Sequence, residues 1–157
     1  MLKLLGVLLL TGSGIGGAAL LCGRASVALS QVEGLLGLIR LIRLQVECFA
    51  MPISDILSRC DRELLGQCGY RGTGNPSDFP RLLGGCQIVD GTSAELFRAF
   101  GEEFGRGYRE EQVKACEYTI GLLEERRASL SEKLPVQKKL YSTHCVSGAL
   151  ALMILFL

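Results

Sequence analysis

The sequence predicts an all-α fold, an antiparallel helical bundle flanked by N- and C-terminal transmembrane helices. Three observations carry that expectation. Every acidic residue, and every basic residue except Lys3, lies between Arg24 and Lys139, so both ends of the 157-residue chain are stripped of charge. The charged interior repeats its apolar residues at helical spacing, and no segment alternates as a half-buried strand does. The length suits one modest domain and not two.

Residues 4–22 form the first apolar run, roughly 28 Å long as a helix and close to the hydrocarbon thickness of a bilayer. Residues 140–157 form the second. The strictly apolar part, 145–157, reaches only about 20 Å as a helix, so residues 140–144 must complete it, with Tyr141 at the interface where an amphipathic ring is stable. Arg24, Arg40 and Arg43 follow the first run, and Arg126, Arg127, Lys133, Lys138 and Lys139 precede the second. This basic bias puts the body, residues 24–134, in the cytoplasm and both termini across the membrane. A cleaved signal peptide is the competing reading of the first run, with Lys3 as its basic start, residues 4–10 as its apolar core and Gly16-Gly17-Ala18 as a weak cleavage site. The apolar run outlasts the short core of such a signal.

Gly12-Ser13-Gly14-Ile15-Gly16-Gly17 satisfies the G-x-G-x-x-G pattern of a dinucleotide turn, with Glu33 near the expected distance downstream. That motif needs a preceding strand and a second strand carrying the acid. Glu33 sits instead in a leucine-rich stretch with helical spacing. The preferred reading is that Gly12, Ser13, Gly16 and Gly17 make small-residue faces on which transmembrane helices pack closely. No cofactor is expected.

In the body, Val32, Leu35, Leu36, Ile39, Ile42 and Val46 form one broad apolar stripe on a helix over residues 27–51, weakened by Gly34 and Gly37. Pro52 ends it. Ser54 then starts a short helix that stops near Leu65 and Gly66, with Ile56, Leu57 and Leu64 available for a core. Residues 66–92 are loop-rich in glycine and proline, with at most one short helix near Phe79. Thr92 and Glu95 are spaced as a capping box for the next helix. Leu96, Phe97, Phe100, Phe104, Val113, Cys116, Ile120 and Leu123 mark the buried side of a helix hairpin interrupted at Gly105 and Gly107. Its second helix runs over residues 108–134, and Pro135 predicts a kink or break before the second span.

Chemistry is sparse. His144, the single histidine, sits at the mouth of the second span, which excludes a histidine-based metal site or a Ser-His-Asp triad in the body. Glu102, Glu103, Glu110, Glu111, Glu117, Glu124 and Glu125 alternate with Arg106, Arg109, Lys114, Arg126 and Arg127 as a solvated helix face does. The seven cysteines form no C-x-x-C and are odd in number, against a zinc site and a disulfide framework. In a reducing compartment they act as small buried apolar groups. Cys68 and Cys86 would pair only if the orientation were reversed. The net charge of +1 lacks the basic excess of a nucleic-acid binder. No metal, no nucleic acid and no enzymatic activity are expected.

The chain begins Met-Leu-Lys-Leu, and carries Phe100-Gly101, Phe104-Gly105 and Tyr108-Arg109-Glu110-Glu111-Gln112-Val113-Lys114, then Lys139-Leu140-Tyr141 before an aliphatic tail. In these elements it resembles the stage III sporulation protein AB family of endospore-forming bacteria, whose pattern runs close to F-G-x-x-L-G-x-x-D-R-E-x-Q. The resemblance covers the first ten or so residues and most of 93–157. Phe104 replaces the usual leucine and Tyr108 the usual aspartate, and residues 66–92 stand where family members often carry another helix pair. The resemblance implies a helical body similar to the cytoplasmic domain of type II secretion F proteins. It also implies a place in the channel-like complex between mother cell and forespore, in the mother-cell membrane around the forespore, beside a cytoplasmic secretion-type ATPase and other membrane proteins. On this reading Arg109, Glu110, Gln112 and Lys114 are the partner-binding candidates, with bracing of the helix hairpin left open as the alternative role of Arg109, Glu110 and Gln112, while Phe100, Gly101, Phe104, Gly105, Lys139 and Tyr141 form the structural motif. Self-association stays open. The competing classes are a secreted, tail-anchored helical interaction module and a membrane-bound enzyme.

Overall fold

The computed structural model describes the backbone of residues 2–105 and 107–156, and the side-chain surroundings of residues 23–105 and 107–134. The chain is all-helical. Among the described residues six helices follow one another: α1 Leu2–Phe49, α2 Ile53–Ser58, α3 Arg62–Gln67, α4 Phe79–Gly85, α5 Gly91–Glu103 and α6 Arg109–Phe156. Among the described residues there is no strand, only an isolated antiparallel bridge between Tyr70 and Cys86. The chain divides into two compact units, Met1–Ser26 with Leu130–Leu157, and Val27–Ser129.

The first unit holds both expected membrane segments, 4–22 and 140–157. The backbone there is helical; their side chains lie outside the described residues, as do Gly12, Ser13, Gly16, Gly17, Lys139, Tyr141 and His144. The G-x-G-x-x-G stretch lies within α1 and is preceded by helix, not by the strand that a dinucleotide turn requires. Pro135 does not break α6, which is helical from Arg109 to Phe156. A proline in a helix interior forfeits one backbone hydrogen bond, and here that loss does not end the helix.

The second unit is built on the α1 stripe. Val32, Leu35, Leu36, Ile39, Ile42 and Val46 are all buried, as expected, and Leu38 is fully buried beside them. Among the described residues, 23–49 is the one stretch long and apolar enough to cross a membrane, but half of its apolar 18-residue window is buried inside the protein. A helix apolar on most sides and half covered by its own chain reads as a core helix.

Gly34 and Gly37 have a packing reason that their low helix propensity hides. A Cβ at Gly34 would lie 2.7 Å from the Gln67 carbonyl carbon and 2.8 Å from the Cys68 nitrogen, and one at Gly37 would lie 3.1 Å from Leu64. The C-terminal end of α3 therefore rests directly on the α1 backbone. The single short helix expected after Pro52 is two helices. Ser54 does not cap either; Pro52 precedes α2, and the Asp61 carboxylate accepts from the Glu63 N–H to start α3. Ile56, Leu57 and Leu65 are buried, whereas Leu64 is only half-buried.

Residues 66–92 hold one short helix, α4, as expected, and a packed connection around it. Gln31, only 6% exposed at the start of the α1 stripe, ties that connection down at both ends of its amide. Its Nε2 donates to the Gln87 carbonyl at 2.7 Å and its Oε1 accepts from the Val89 N–H at 2.8 Å. Gly69, at φ +87°, passes so close that a Cβ would lie 2.6 Å from the Gln31 amide nitrogen. The Gln87 N–H in turn donates to the Gly69 carbonyl at 2.9 Å.

Candidate interaction surface

Residues 79–114 build the hairpin that carries the motif. Phe79 of α4 packs against Phe97, Phe100 and Phe104, with ring centroids 5.6, 5.5 and 6.0 Å away, and Phe100 and Phe104 lie 4.9 Å apart. All four rings are buried or nearly so. Gly101 permits the cluster, because a Cβ there would lie 2.6 Å from Phe79 and 2.9 Å from Leu83. Gly105 then turns the chain at φ +90°, a left-handed conformation that glycine adopts without steric cost. Phe100, Gly101, Phe104 and Gly105 thus meet in one corner.

The start of α6 is self-capped. The Glu111 carboxylate accepts from the Tyr108 N–H at 3.0 Å, the side chain reaching back as the third residue of a capping box does. The Gln112 amide donates to the Gly107 carbonyl at 2.9 Å. These contacts separate the expected partner-binding residues. Gln112 is half-buried and braces the turn, while Arg109, Glu110 and Lys114 are exposed and form no ion pair among the described residues. A cleft of about 310 Å³ beside them is lined by Glu103, Phe104, Gly107, Glu111, Gln112 and Ala115.

The capping of α5 corrects the sequence reading. Its N-cap is Asp90, not Thr92: the carboxylate accepts from the Ser93 N–H at 2.9 Å and from the Ser93 hydroxyl at 2.6 Å. The same carboxylate receives both Arg126 Nε, at 3.0 Å, and Arg126 Nη2, at 2.6 Å. Arg126 therefore leaves the solvated face to which its sequence assigned it and fastens α6 to the start of α5. The guanidinium, chiefly through its hydrogen bonds, holds the Asp90 carboxyl well below the usual carboxylate range against the opposing effect of burial. The glutamates of the hairpin are exposed, as expected. Glu117 pairs with Arg43 and Glu124 with Arg40, which sets α1 and α6 side by side and antiparallel in this unit.

The described cysteines are free thiols, Cys68 and Cys86 included. Cys60, Cys68 and Cys116 are buried, Cys86 is half-buried, and Cys48 is exposed, contrary to the expectation of uniform burial. Burial pushes the Cys68 thiol far up, Cys86 up to about 11 and Cys116 up to about 12. Such thiols stay protonated and unreactive at neutral pH. Among the described residues no group of three or more His, Cys, Asp or Glu side chains is placed to hold a metal ion.

The segment running from Val89 through the Asp90 cap, α5, the glycine turn and α6 is also where the chain meets known proteins. Residues 89–157 match the family model for stage III sporulation protein AB. The match takes in every motif element on which the resemblance was recognised except the Met-Leu-Lys-Leu start, which lies outside it, as do α2, α3 and α4. No curated protein and no solved structure matches the chain. The stage III sporulation protein AB family carries a sporulation-related role and is not a known enzyme family.

Proposed function

We propose that this protein is a non-enzymatic, membrane-anchored adaptor of the secretion-like channel complex between mother cell and forespore. Its helical bundle, residues 24–134, faces the cytoplasm from the mother-cell membrane around the forespore. Residues 4–22 and 140–157 hold it there as transmembrane helices. The bundle contacts a cytoplasmic secretion-type ATPase through Arg109, Glu110 and Lys114, with Gln112 holding the turn that presents them. The relation to type II secretion F proteins belongs to the same reading. The function is positional, with a rigid hairpin passing movement or position from the ATPase to membrane components.

The observation that carries this reading is the family match over residues 89–157. It coincides with a hairpin whose phenylalanines and glycines at 100, 101, 104 and 105 are consumed in packing, while Arg109, Glu110 and Lys114 are left exposed and unpaired among the described residues. A charge cluster not used for folding is available for recognition. The test is co-purification from sporulating cells of the full-length protein and its Arg109→Glu/Glu110→Arg variant. The adaptor reading expects loss of the ATPase from the variant with the protein level unchanged. Equal recovery of the ATPase from both counts against it.

A further inference from the structure

Met1–Ser26 and Leu130–Leu157 form one compact unit, and its charged residues crowd beside the two apolar runs. Beyond Lys3 they are Arg24, Glu132, Lys133, Lys138 and Lys139. Arg24 follows the run 4–22 by two residues, and Lys139 directly precedes the run 140–157. Both runs and their flanks are helical without a break. At the helical rise, Arg24 lies about 3 Å beyond its run, and Lys133, Lys138 and Lys139 lie within about 10 Å of theirs. The polar layer on each side of a bilayer is about 5–8 Å thick, and a long basic side chain can lie along apolar surface and place its charge there. Arg24 and Lys133 are exposed.

Charges farther along the two helices do not cancel this collar. On α1 the next is Glu33, about 13 Å past Arg24 and beyond a Debye length of about 8 Å at physiological ionic strength. On α6 Arg126 is held by Asp90 and Glu124 by Arg40, which leaves exposed Arg127 against exposed Glu125. Four basic residues against one acidic therefore stand next to the apolar runs, in a chain whose net charge is only +1. A basic cluster beside a membrane-spanning helix attracts anionic headgroups, each residue strengthening the association about fivefold. We propose that Arg24, Lys133, Lys138 and Lys139 bind the phosphodiester headgroups of anionic phospholipids, so that the protein gathers such lipids around its anchor. The proposal rests on the reading of residues 4–22 and 140–157 as transmembrane helices, and deepens it by assigning the class of lipid they recruit.

The experiment reconstitutes the full-length protein in phosphatidylcholine bilayers. Electron spin resonance then measures how much spin-labelled phosphatidylglycerol and spin-labelled phosphatidylcholine the protein immobilises. Phosphatidylglycerol is expected to be preferred at least about threefold, and the preference to vanish in about 1 M salt, where charges are screened within about 3 Å. The Arg24→Gln/Lys133→Gln/Lys138→Gln/Lys139→Gln variant should lose the preference while immobilising as much phosphatidylcholine as wild type. Arg59→Gln/Arg71→Gln/Arg98→Gln, which removes exposed arginines of the second unit, should keep it. Replacing chloride by inorganic phosphate at constant ionic strength should leave it unchanged. Equal immobilisation of the two lipids by wild type, or an undiminished preference in the quadruple variant, overturns the lipid site and leaves the anchoring intact. Loss of the preference in the triple variant moves the effect to the second unit and overturns the collar. Loss in inorganic phosphate alone reveals a site for free phosphate and overturns the lipid assignment. Immobilisation of neither lipid overturns the transmembrane reading and this proposal together.

Discussion

Gln31→Leu tests how residues 66–92 are held against α1. The wild-type amide satisfies the Gln87 carbonyl and the Val89 N–H at 2.7 and 2.8 Å, and leucine has a similar volume with neither group. Each backbone group left without a partner costs about 1–3 kcal/mol when buried. Both sites are part-buried, which favours the lower half of that range, and leucine recovers about 1 kcal/mol of apolar burial. The net loss is therefore about 2 kcal/mol, or roughly a thirtyfold rise in local opening. Cys68 reports it directly, since its side chain is fully buried next to Gly69. Pulsed alkylation of the full-length protein in detergent should label Cys68 roughly thirtyfold faster in the variant, with a smaller change at Cys116 on α6.

Gln31→Glu refines the test through pH. The introduced carboxyl keeps the bond from Val89 but can donate to the Gln87 carbonyl only when protonated. Its folded pKa is then raised above the usual glutamate value of about 4.3. The penalty is absent below that unfolded value and grows as pH rises through the folded one. Unchanged Cys68 protection in Gln31→Leu, or a penalty in Gln31→Glu that does not grow with pH, would refute the account of this clamp.

Other substitutions separate packing from propensity. Gly34→Ala should destabilise by about 1–3 kcal/mol in chemical denaturation, because its Cβ meets the α3 backbone. Gly121→Ala, which faces open space in mid-helix, should stabilise by about 0.8–1 kcal/mol. Asp90→Ala removes a helix cap and one partner of the Arg126 pair and should cost about 2–3 kcal/mol. Because the Asp90 pKa is lowered on folding, its contribution is full above the ordinary carboxylate value and is lost as pH falls towards and through the folded one; an acid titration of wild type against the variant checks the sign. Ala50→Gly should stabilise by about 0.5–1 kcal/mol, by relieving a left-handed alanine.

Much of the second unit was legible because its signals are local. The α1 stripe from Val32 to Val46 and the phenylalanines of α5 repeat at helical spacing, and the glycine pair at 105 and 107 marks the hairpin turn. What escaped depends on contacts between distant residues. Asp90 lies 36 positions from Arg126, so nothing near either residue separates this pair from the solvated charges around it, and Thr92 supplied a plausible cap closer to hand. Gln31 sits in a leucine-rich helix and acquires a role only when residues 87 and 89 fold back over it. Gly34 and Gly37 read as weak points, since propensity is local and a close helix crossing is not.

The central claim is a helical body held at a membrane and facing the cytoplasm, and Cys48 offers the most direct measurement of it. This thiol is exposed on the body, so a membrane-impermeant maleimide can be mapped to it by mass spectrometry in protoplasts expressing the protein. The account expects no modification of Cys48 in intact protoplasts and full modification after the membrane is permeabilised. Labelling of Cys48 in intact protoplasts would place the body on the outer side and contradict the account.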